Sequence, residues 1–155
     1  FVFQFYNLIP DLTVMENIRI VSDISKNSLD INEVMKAVDI TELKDRFPNE
    51  LSGGQQQRAA IARAIVKNPS ILLCDELTGA LDSKTSKEVL KFVQKVNAEF
   101  GSTVVIITHN QEIRKMADRI IEVKDGKIIR NYMTENKMNV EDIEIWMGEK
   151  QDEIN

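Results

Sequence analysis

The chain has 155 residues, of which 43% are hydrophobic and 29% charged, a composition typical of a globular protein with one core. Its net charge of -5 argues against nucleic acid as a partner, because phosphate contacts need clustered Lys and Arg. The single cysteine, Cys74, excludes an intramolecular disulfide and suits a reducing compartment. No run reaches the roughly 18 uninterrupted apolar residues of a membrane-spanning helix, so we expect any membrane link to pass through a partner.

The chain opens with the pattern of a strand that is already under way. Residues 1–3 are predicted as the end of a buried strand, and a loop follows to Pro10. Thr13 and Glu16 have the spacing of a capping box, and the apolar residues after them recur at helical intervals. We therefore predict a loop and then a first helix.

Two further helices are predicted before the first glycine pair. Asp30 is placed to cap a helix over residues 31–38. A short helix over residues 41–46 should be stopped by Pro48. Residues from about 8 to 48 are therefore predicted to form a small helical unit.

The middle of the chain predicts a long helix followed by a buried strand. Ser52 can cap a helix over residues 55–67, which contains no breaker. The apolar run 71–74 is typical of a parallel strand covered on both faces. Asp75 and Glu76 are therefore expected at the carboxyl end of that strand.

A strand-helix-strand crossover is predicted next. Residues 83–100 have one apolar helical face, Gly101 is placed to end that helix, and residues 103–108 are a β-branched buried strand. This strand-helix-strand alternation predicts a βαβ crossover and hence a parallel sheet, with ligands expected outside the carboxyl ends of its strands.

The last third predicts a short helix, a hairpin and a polar tail. The short helix covers residues 111–117, and strands 120–123 and 128–129 flank Asp125-Gly126, a strong two-residue turn signal. Beyond residue 132 the chain is polar and acid-rich, and we interpret it as a weakly docked segment or a helix with frayed ends.

Two groups of residues have the chemistry of a nucleoside triphosphate site. Ser52, Gly53 and Gly54 at a helix start offer backbone N–H groups and the positive end of the helix dipole to an anion. Asp75 and Glu76 offer carboxylate oxygens to Mg²⁺ and a base to water. Taken alone, each group also fits a plain structural role, as a Gly-rich turn or a solvated strand end.

Five separated motifs resemble those of an ABC-transporter ATPase subunit, in the order of that family. They are similar to its Q-loop, signature, Walker B, D-loop and H-loop motifs, and they stand at Gln4, residues 51–55, residues 71–76, residues 80–82 and His109. The resemblance covers most of residues 1–130. Residues 3–10 and 78–83 further resemble the subgroup that serves macrolide exporters, lipoprotein-release systems and antimicrobial-peptide-resistance transporters.

The resemblance implies an α/β fold, a P-loop NTPase-like parallel sheet core present as its C-terminal portion, with an inserted small α-helical subdomain. The resemblance divides the chain into four parts. They are the end of a core strand with the Q-loop at 1–7, the helical subdomain at 8–50, the ATPase core at 51–130 and an acidic tail at 131–155. The implied function is an ATP-hydrolysing motor using Mg²⁺, on the cytoplasmic face of the membrane. Its implied partners are a second ATPase subunit, bound head to tail, and an export-type transmembrane permease.

The resemblance also implies roles for the phosphate-binding residues. Ser52, Gly53, Gly54 and Gln55 would contact the γ-phosphate of a nucleotide held by the second subunit. Asp82 is similar to the D-loop acid that lies across the dimer interface, although a plain helix cap explains it equally well. Arg58 and Arg63 on the same helix as the signature are either solvated or brace the interface.

The residues implied in hydrolysis lie at strand ends. Asp75 would hold Mg²⁺ through water, and Glu76 would act as the general base. His109, the single histidine, resembles the switch residue that contacts the γ-phosphate. Gln4 would sense Mg²⁺ or water and pass that state to the helical unit.

The sequence departs from the family in two places. The phosphate cradle G-x-x-x-x-G-K-[ST] is absent, since the one Gly-Lys pair, Gly126-Lys127, follows the hairpin turn. We therefore expect the chain to be the C-terminal two-thirds or so of a longer polypeptide, and to be inactive or nearly so alone. Leu77 replaces the usual Pro after Glu76, which should loosen the backbone there and lower activity.

Two other functions fit parts of the pattern. A soluble ABC-type ATPase of DNA repair or translation shares the motifs, but the short span between Gln4 and Leu51 leaves no room for a long coiled coil. A non-catalytic remnant would fit the missing cradle and Leu77, but it does not explain why Glu76 and His109 are present.

Overall fold

The computed structural model describes residues 1–2, 6–79 and 81–144. The helices are α1 (Val14–Asp23), α2 (Ile31–Ala37), α3 (Gly53–Ile65) and α4 (Ser83–Phe100), and the strands are β1 (Ile71–Asp75), β2 (Thr103–Ile107), β3 (Arg119–Lys124) and β4 (Lys127–Met133). Backbone contacts divide the chain into two compact units, Phe1–Thr108 and His109–Asn155.

The first unit contains the predicted parallel sheet. Strands β1 and β2 pair in parallel with Asp75 opposite Ile107, and α4 connects them, which confirms the crossover. The prediction that β2 is buried is wrong for the described residues, because one of its faces, which carries Val105 and Ile107, is exposed. Val2 forms a parallel bridge to Cys74 on β1. Phe1 is exposed and lies outside any strand, and Phe3 lies outside the described residues. Asp75 therefore ends β1 and Glu76 follows it directly, as the apolar run predicted.

Side-chain caps start the helices of the first unit where the sequence indicates them. Thr13 and Glu16 form the predicted capping box on α1, and Asp30 accepts hydrogen bonds from two amides at the start of α2. Gly101 ends α4 in the left-handed region with φ 67°, a conformation that costs glycine little. These local signals fix the boundaries of three helices.

Two helices of the first unit are shorter than predicted. The third helix of the helical unit is a 3₁₀ turn over Thr41–Leu43, and Pro48 begins a second 3₁₀ turn instead of only ending the first. Pro at the first helical position needs no N–H partner, which explains this start. Helix α3 ends at Ile65, two residues before the predicted Lys67, and Asn68 follows with φ 55°.

One apolar core joins the helices and the sheet of this unit. Its fully buried members come from α1, α2, α3, β1 and α4, and include Ile18, Met35, Ile61, Leu72 and Val89. Burial of this apolar surface is the main term that stabilises the unit. The core therefore holds α3 and the end of β1 in fixed positions.

The second unit contains the predicted hairpin. Strands β3 and β4 pair in antiparallel register around Asp125 and Gly126, which both have positive φ, as a two-residue turn of this type requires. Strand β4 continues to Met133, past the predicted end at residue 129. The predicted short helix over 111–117 is a 3₁₀ turn over Ile113–Met116.

The segment after β4 is attached more firmly than predicted. The Thr134 amide donates to Asp118 O at 3.0 Å, and Lys137 Nζ lies 2.7 Å from an Asp118 carboxylate oxygen. Val140 and Ile143 are fully buried around a 3₁₀ turn. The prediction of a weakly docked tail is therefore wrong for residues 134–143, because this segment is hydrogen-bonded to Asp118 and buries both of these apolar side chains. Ile145 and Trp146 lie outside the described residues.

Within the described ranges, no helix has the length and apolar character needed to cross a bilayer.

Candidate functional site

The N-terminus of α3 is capped in both directions. Ser52 Oγ accepts a hydrogen bond from the Gln55 amide at 3.3 Å, and Gln55 Oε1 accepts one from the Ser52 amide at 2.9 Å. Helix geometry leaves the amides of Gly53 and Gly54 without intrahelical acceptors. Ser52 is exposed and Gly53 is half-buried, so an anion can reach this helix end from their side, whereas Gly54 is buried.

The two glycines of this helix end also have a packing reason that the sequence did not reveal. A Cβ on Gly54 would stand 2.3 Å from Thr85 Cγ2, and a Cβ on Gly53 would stand 2.8 Å from the Tyr6 hydroxyl oxygen. Contacts this short do not occur between real side chains, so the first turn of α3 packs against Tyr6 and α4 only because both residues are glycine.

A cavity of about 170 Å³ lies beside this helix end. Its lining comes from the first turns of α3 and α4, and consists of Ser52, Gly54, Gln55, Arg58, Thr85, Glu88 and Val89. The Arg58 guanidinium lies 5.0 Å from the centre of the Phe92 ring and 3.9 Å from an Asp39 carboxylate oxygen. Of the two arginines left open by the sequence, Arg58 therefore stacks on α4 and lines the cavity.

The acidic pair lies at the end of β1 in a constrained backbone. The Asp75 amide donates to Val2 O at 2.9 Å, and the Glu76 amide donates to Ile107 O at 3.0 Å. Glu76 has φ 47°, which is unusual for a residue with a side chain, and its carbonyl accepts from the Gly79 amide at 3.1 Å. Strain of this kind persists only where the surroundings hold it, and it is frequent at functional sites.

Leu77 occupies the turn that follows Glu76. Its side chain is 3% exposed and belongs to the apolar core. Core packing of Leu77 therefore restrains the turn, whereas the usual proline would restrain it by fixing φ. The lower activity expected from Leu77 stays a prediction.

Asp82 caps α4. Its carboxylate accepts from the amides of Lys84 and Thr85, each at 3.0 Å, and from Thr85 Oγ1 at 2.6 Å. The hydrogen bonds from Thr85 hold the pKa of Asp82 below its ordinary value. The cap role is confirmed by this geometry, and the D-loop role stays a prediction.

Tyr6, which the sequence did not single out, contacts Arg63, which the sequence left open as either solvated or bracing the interface. Arg63 Nη2 donates to Tyr6 O at 3.3 Å, across 57 positions of the chain. Burial raises the pKa of the Tyr6 hydroxyl and lowers the pKa of Arg63. No local pattern connects these two positions, so the sequence could not reveal the contact.

An open groove of about 350 Å³ lies between residues 6–10 and the residues that precede and begin α3. Its lining carries no ionised side chain, and consists of Tyr6, Asn7, Leu8, Pro10, Pro48, Asn49 and Gln56. Depletion of charged side chains together with an aromatic residue is the composition found at the centres of protein interfaces.

The remaining predicted site residues are placed less completely. His109 is exposed and is the first residue of the second unit, whereas Glu76 belongs to the first unit. Gln4 and Ala80 lie outside the described residues. Among the described residues, no group of three or more His, Cys, Asp or Glu side chains could hold a metal ion by itself. Asp75 fits Mg²⁺ as a single oxygen ligand, which suits an ion that keeps waters and binds phosphates.

The chain is similar to known ATP-binding proteins along most of its length. A profile described as "ABC transporter" matches residues 1–79. The ATP-binding cassette MJ0796, solved as a dimer in a post-hydrolysis state bound to ADP and Pi, is 39% identical with a TM-score of 0.70, covering 86% of this chain and 61% of that one. These neighbours have the P-loop NTPase fold, so the parallel sheet and helices of the first unit are part of such an α/β domain.

Relatives with transport functions in their names are also similar. The bacitracin export ATP-binding protein BceA of Halalkalibacterium halodurans is 43% identical over 83% of this chain and 53% of its own length. The methionine import ATP-binding protein MetN of Haemophilus ducreyi is 39% identical over 83% of this chain and 39% of its own length. The chain thus spans about half the length, or less, of these relatives.

Proposed function

Because the chain belongs to the ABC transporter family of ATP-binding domains, we propose that it is part of an ATP-hydrolysing motor subunit that drives a membrane permease. The observation that carries this proposal is the capped helix end at Ser52–Gly54, where Gly53 faces Tyr6 and Gly54 faces α4. It lies in the same unit as a strand that ends at Asp75 and is followed by Glu76. One group suits phosphate and the other suits hydrolysis.

Each group would serve a different nucleotide in a head-to-tail dimer. Ser52 and the amides of Gly53 and Gly54 would bind the γ-phosphate of ATP held by the second subunit. Gln55 Oε1 accepts from the Ser52 amide and so fixes the geometry of the helix end, and Gln55 Nε2 would donate to the same phosphate. The dipole of α3 adds attraction for the anion.

Hydrolysis would use the acidic strand end. Glu76, held by hydrogen bonds from its amide and to its carbonyl, would orient and deprotonate the attacking water. Asp75 would hold Mg²⁺, which when bound neutralises charge on the phosphates. His109 would contact the γ-phosphate, and Gln4 would sense the metal or the water. Asp82 would lie at the dimer interface.

The groove beside Tyr6 would bind the permease. Its lining comes from residues 6–10, from Pro48 and Asn49, and from Gln56 on α3. Because this lining carries no charge, it suits a helix or loop of a membrane protein. Such a partner would hold this chain at the cytoplasmic face of the membrane. The resemblance of residues 3–10 and 78–83 to exporter motors favours export as the direction of transport. The similarity to the methionine import protein MetN shows that related chains also serve importers.

The proposal is tested with the whole polypeptide that the gene encodes, called the extended polypeptide below. We expect MgATP hydrolysis, and we expect Glu76→Gln to lower kcat by about a hundredfold or more, since general base catalysis contributes that much. Glu99→Gln, at an exposed ion pair with Lys95, is the matched control and should retain full turnover.

Absence of hydrolysis in the extended polypeptide, or equal rates in Glu76→Gln and Glu99→Gln, would refute the proposal. The 155-residue chain alone should show no micromolar affinity for MgATP, because the phosphate cradle is not in it.

A further inference from the structure

The buried side chain of Asn17 on α1 is hydrogen-bonded to the loop that forms one side of the groove beside Tyr6. We infer that Asn17 is a positioning residue for permease binding, which holds Leu8 and Pro10 in the places where they line that groove. This inference rests on the proposed function, since it takes the groove as the permease site. Asn17 belongs to none of the five motifs, and it does not itself line the groove.

Ile9 lies between two lining residues, and Asn17 binds both of its backbone polar groups. The Ile9 amide donates to Asn17 Oδ1 at 2.8 Å, and Ile9 O accepts from Asn17 Nδ2 at 3.1 Å. The same Nδ2 lies 2.9 Å from Leu12 O and 3.0 Å from Thr13 O. One side chain therefore holds the backbone of residues 9–13 against α1.

The loop has few other hydrogen bonds that could replace those of Asn17. Pro10 has no N–H, and the Leu12 amide donates within the loop, to Ile9 O at 3.2 Å. Among the described residues, no other side chain forms a hydrogen bond with residues 8–12. Asn17 is fully buried, so its amide would lose free energy without these partners. The direction of residues 8–10 therefore depends on this one amide.

The other side of the groove is attached to the same helix. The Val14 amide, at the start of α1, donates to Arg46 O at 2.9 Å. The 3₁₀ turn Pro48–Glu50 follows and contributes two lining residues, and Glu50 holds this turn by accepting from the Phe47 amide at 2.7 Å. Both sides of the groove are therefore hydrogen-bonded to α1, directly or through one short segment.

A groove that is formed before its partner arrives binds that partner more tightly than one that has to become ordered. Ordering a loop at an interface costs free energy, and this cost is subtracted from the free energy of binding. With Asn17 in place, residues 8–10 are ordered in advance. Without it, the permease would have to order them. Asn17 therefore acts on affinity although it does not touch the partner.

The test compares Asn17→Ser and Asn17→Ala with wild type in the extended polypeptide. A serine hydroxyl in a helix bonds the carbonyl four residues back, here Thr13 O, so Asn17→Ser keeps a partner within α1 and releases Ile9. Ser102→Ala is the matched control, because it also removes a buried side-chain hydrogen bond, from Ser102 Oγ to Pro69 O at 2.7 Å, and neither residue lines the groove.

Affinity is measured against the membrane permease encoded in the same operon, purified in detergent. We expect both Asn17 variants to raise the Kd for the permease by about tenfold per folded molecule, and Ser102→Ala to leave it within about twofold of wild type. The folded fraction is measured by circular dichroism, so that a loss of folded protein is separated from a loss of positioning. If Asn17→Ala folds poorly, Asn17→Ser carries the comparison.

A distance readout accompanies the affinities. Spin labels on cysteines placed at the exposed positions Asp11 and Asn49 report the two sides of the groove by double electron–electron resonance. We expect one narrow distance distribution in wild type and in Ser102→Ala, and a broad one in Asn17→Ser.

The outcomes separate this inference from the proposed function. A wild type that does not bind the permease refutes the proposed groove site, and the positioning by Asn17 with it. A wild type that binds, with an unchanged Kd in Asn17→Ser or an equally narrow distance distribution in that variant, refutes the positioning alone.

Discussion

The contact between Gly54 and Thr85 allows a quantitative test of how the helix end is built. A Cβ on Gly54 would lie 2.3 Å from Thr85 Cγ2, whereas carbon atoms in contact are about 3.5–4.0 Å apart. Thr85 cannot easily rotate away, because its Oγ1 donates to Asp82 at 2.6 Å. Relieving the overlap therefore requires α3 and α4 to separate by about 1 Å, and overpacking of this kind costs about 1–3 kcal/mol.

The compensating change is Thr85→Ser. It removes Cγ2 and keeps the hydroxyl on Asp82, and the nearest remaining Thr85 atom is its Cβ at 3.8 Å, an ordinary contact distance. Loss of one partly buried methyl group costs up to about 0.8 kcal/mol. We therefore expect the double variant to be about 1–2 kcal/mol more stable than the sum of the two single effects.

Urea unfolding of the four proteins, followed by circular dichroism, measures this coupling free energy. The control cycle pairs Gly54→Ala with Thr103→Ser, at an exposed position on β2, and should be additive within about 0.5 kcal/mol. If the Gly54→Ala and Thr85→Ser effects are also additive, the close approach of the two helices does not exist and the reasoning about these glycines is wrong.

Three further predictions concern single residues. Gly101→Ala should lower the unfolding free energy by about 1 kcal/mol, because φ 67° strains a side-chain residue in otherwise open space, and Gly101→Asn should lower it less in the same urea assay. Folding lowers the pKa of Asp82, so the ionised carboxylate stabilises the folded chain at pH values above its unfolded pKa, which is near 3.8. The higher melting temperature of wild type relative to Asp82→Asn should therefore disappear as the pH falls below 3.8 and through the folded pKa. An advantage unchanged between pH 6 and pH 2 would contradict this. Leu77→Pro should destabilise the chain by about 2 kcal/mol through lost burial, yet raise turnover of the extended polypeptide; unchanged turnover would show that the turn is already well aimed.

Local chemistry made much of the fold predictable. The capping pairs Thr13 with Glu16 and Ser52 with Gln55 place helix starts through hydrogen bonds three residues apart, so each can be recognised within one turn. Asp125-Gly126 similarly encodes its own turn. The acidic strand end followed from the length of an apolar run.

Other features depend on partners far away in the chain. The 3₁₀ turns replace helices where only one turn of apolar residues is available to pack, and a pattern of three or four residues does not distinguish the two. The contacts of Gly53 with Tyr6 and of Gly54 with Thr85 join positions separated by tens of residues, so no spacing rule reveals them. The buried positions of Val140 and Ile143 depend in the same way on tertiary packing.

The central claim is that the helix end of one subunit and the strand end of another enclose the same triphosphate. The most direct measurement is sedimentation velocity of the extended polypeptide carrying Glu76→Gln, with and without MgATP. We predict a dimer with MgATP, and a monomer when Ser52→Glu is added, because a carboxylate at the start of α3 repels the γ-phosphate. Monomers in both variants, or dimers that Ser52→Glu leaves intact, would contradict the account.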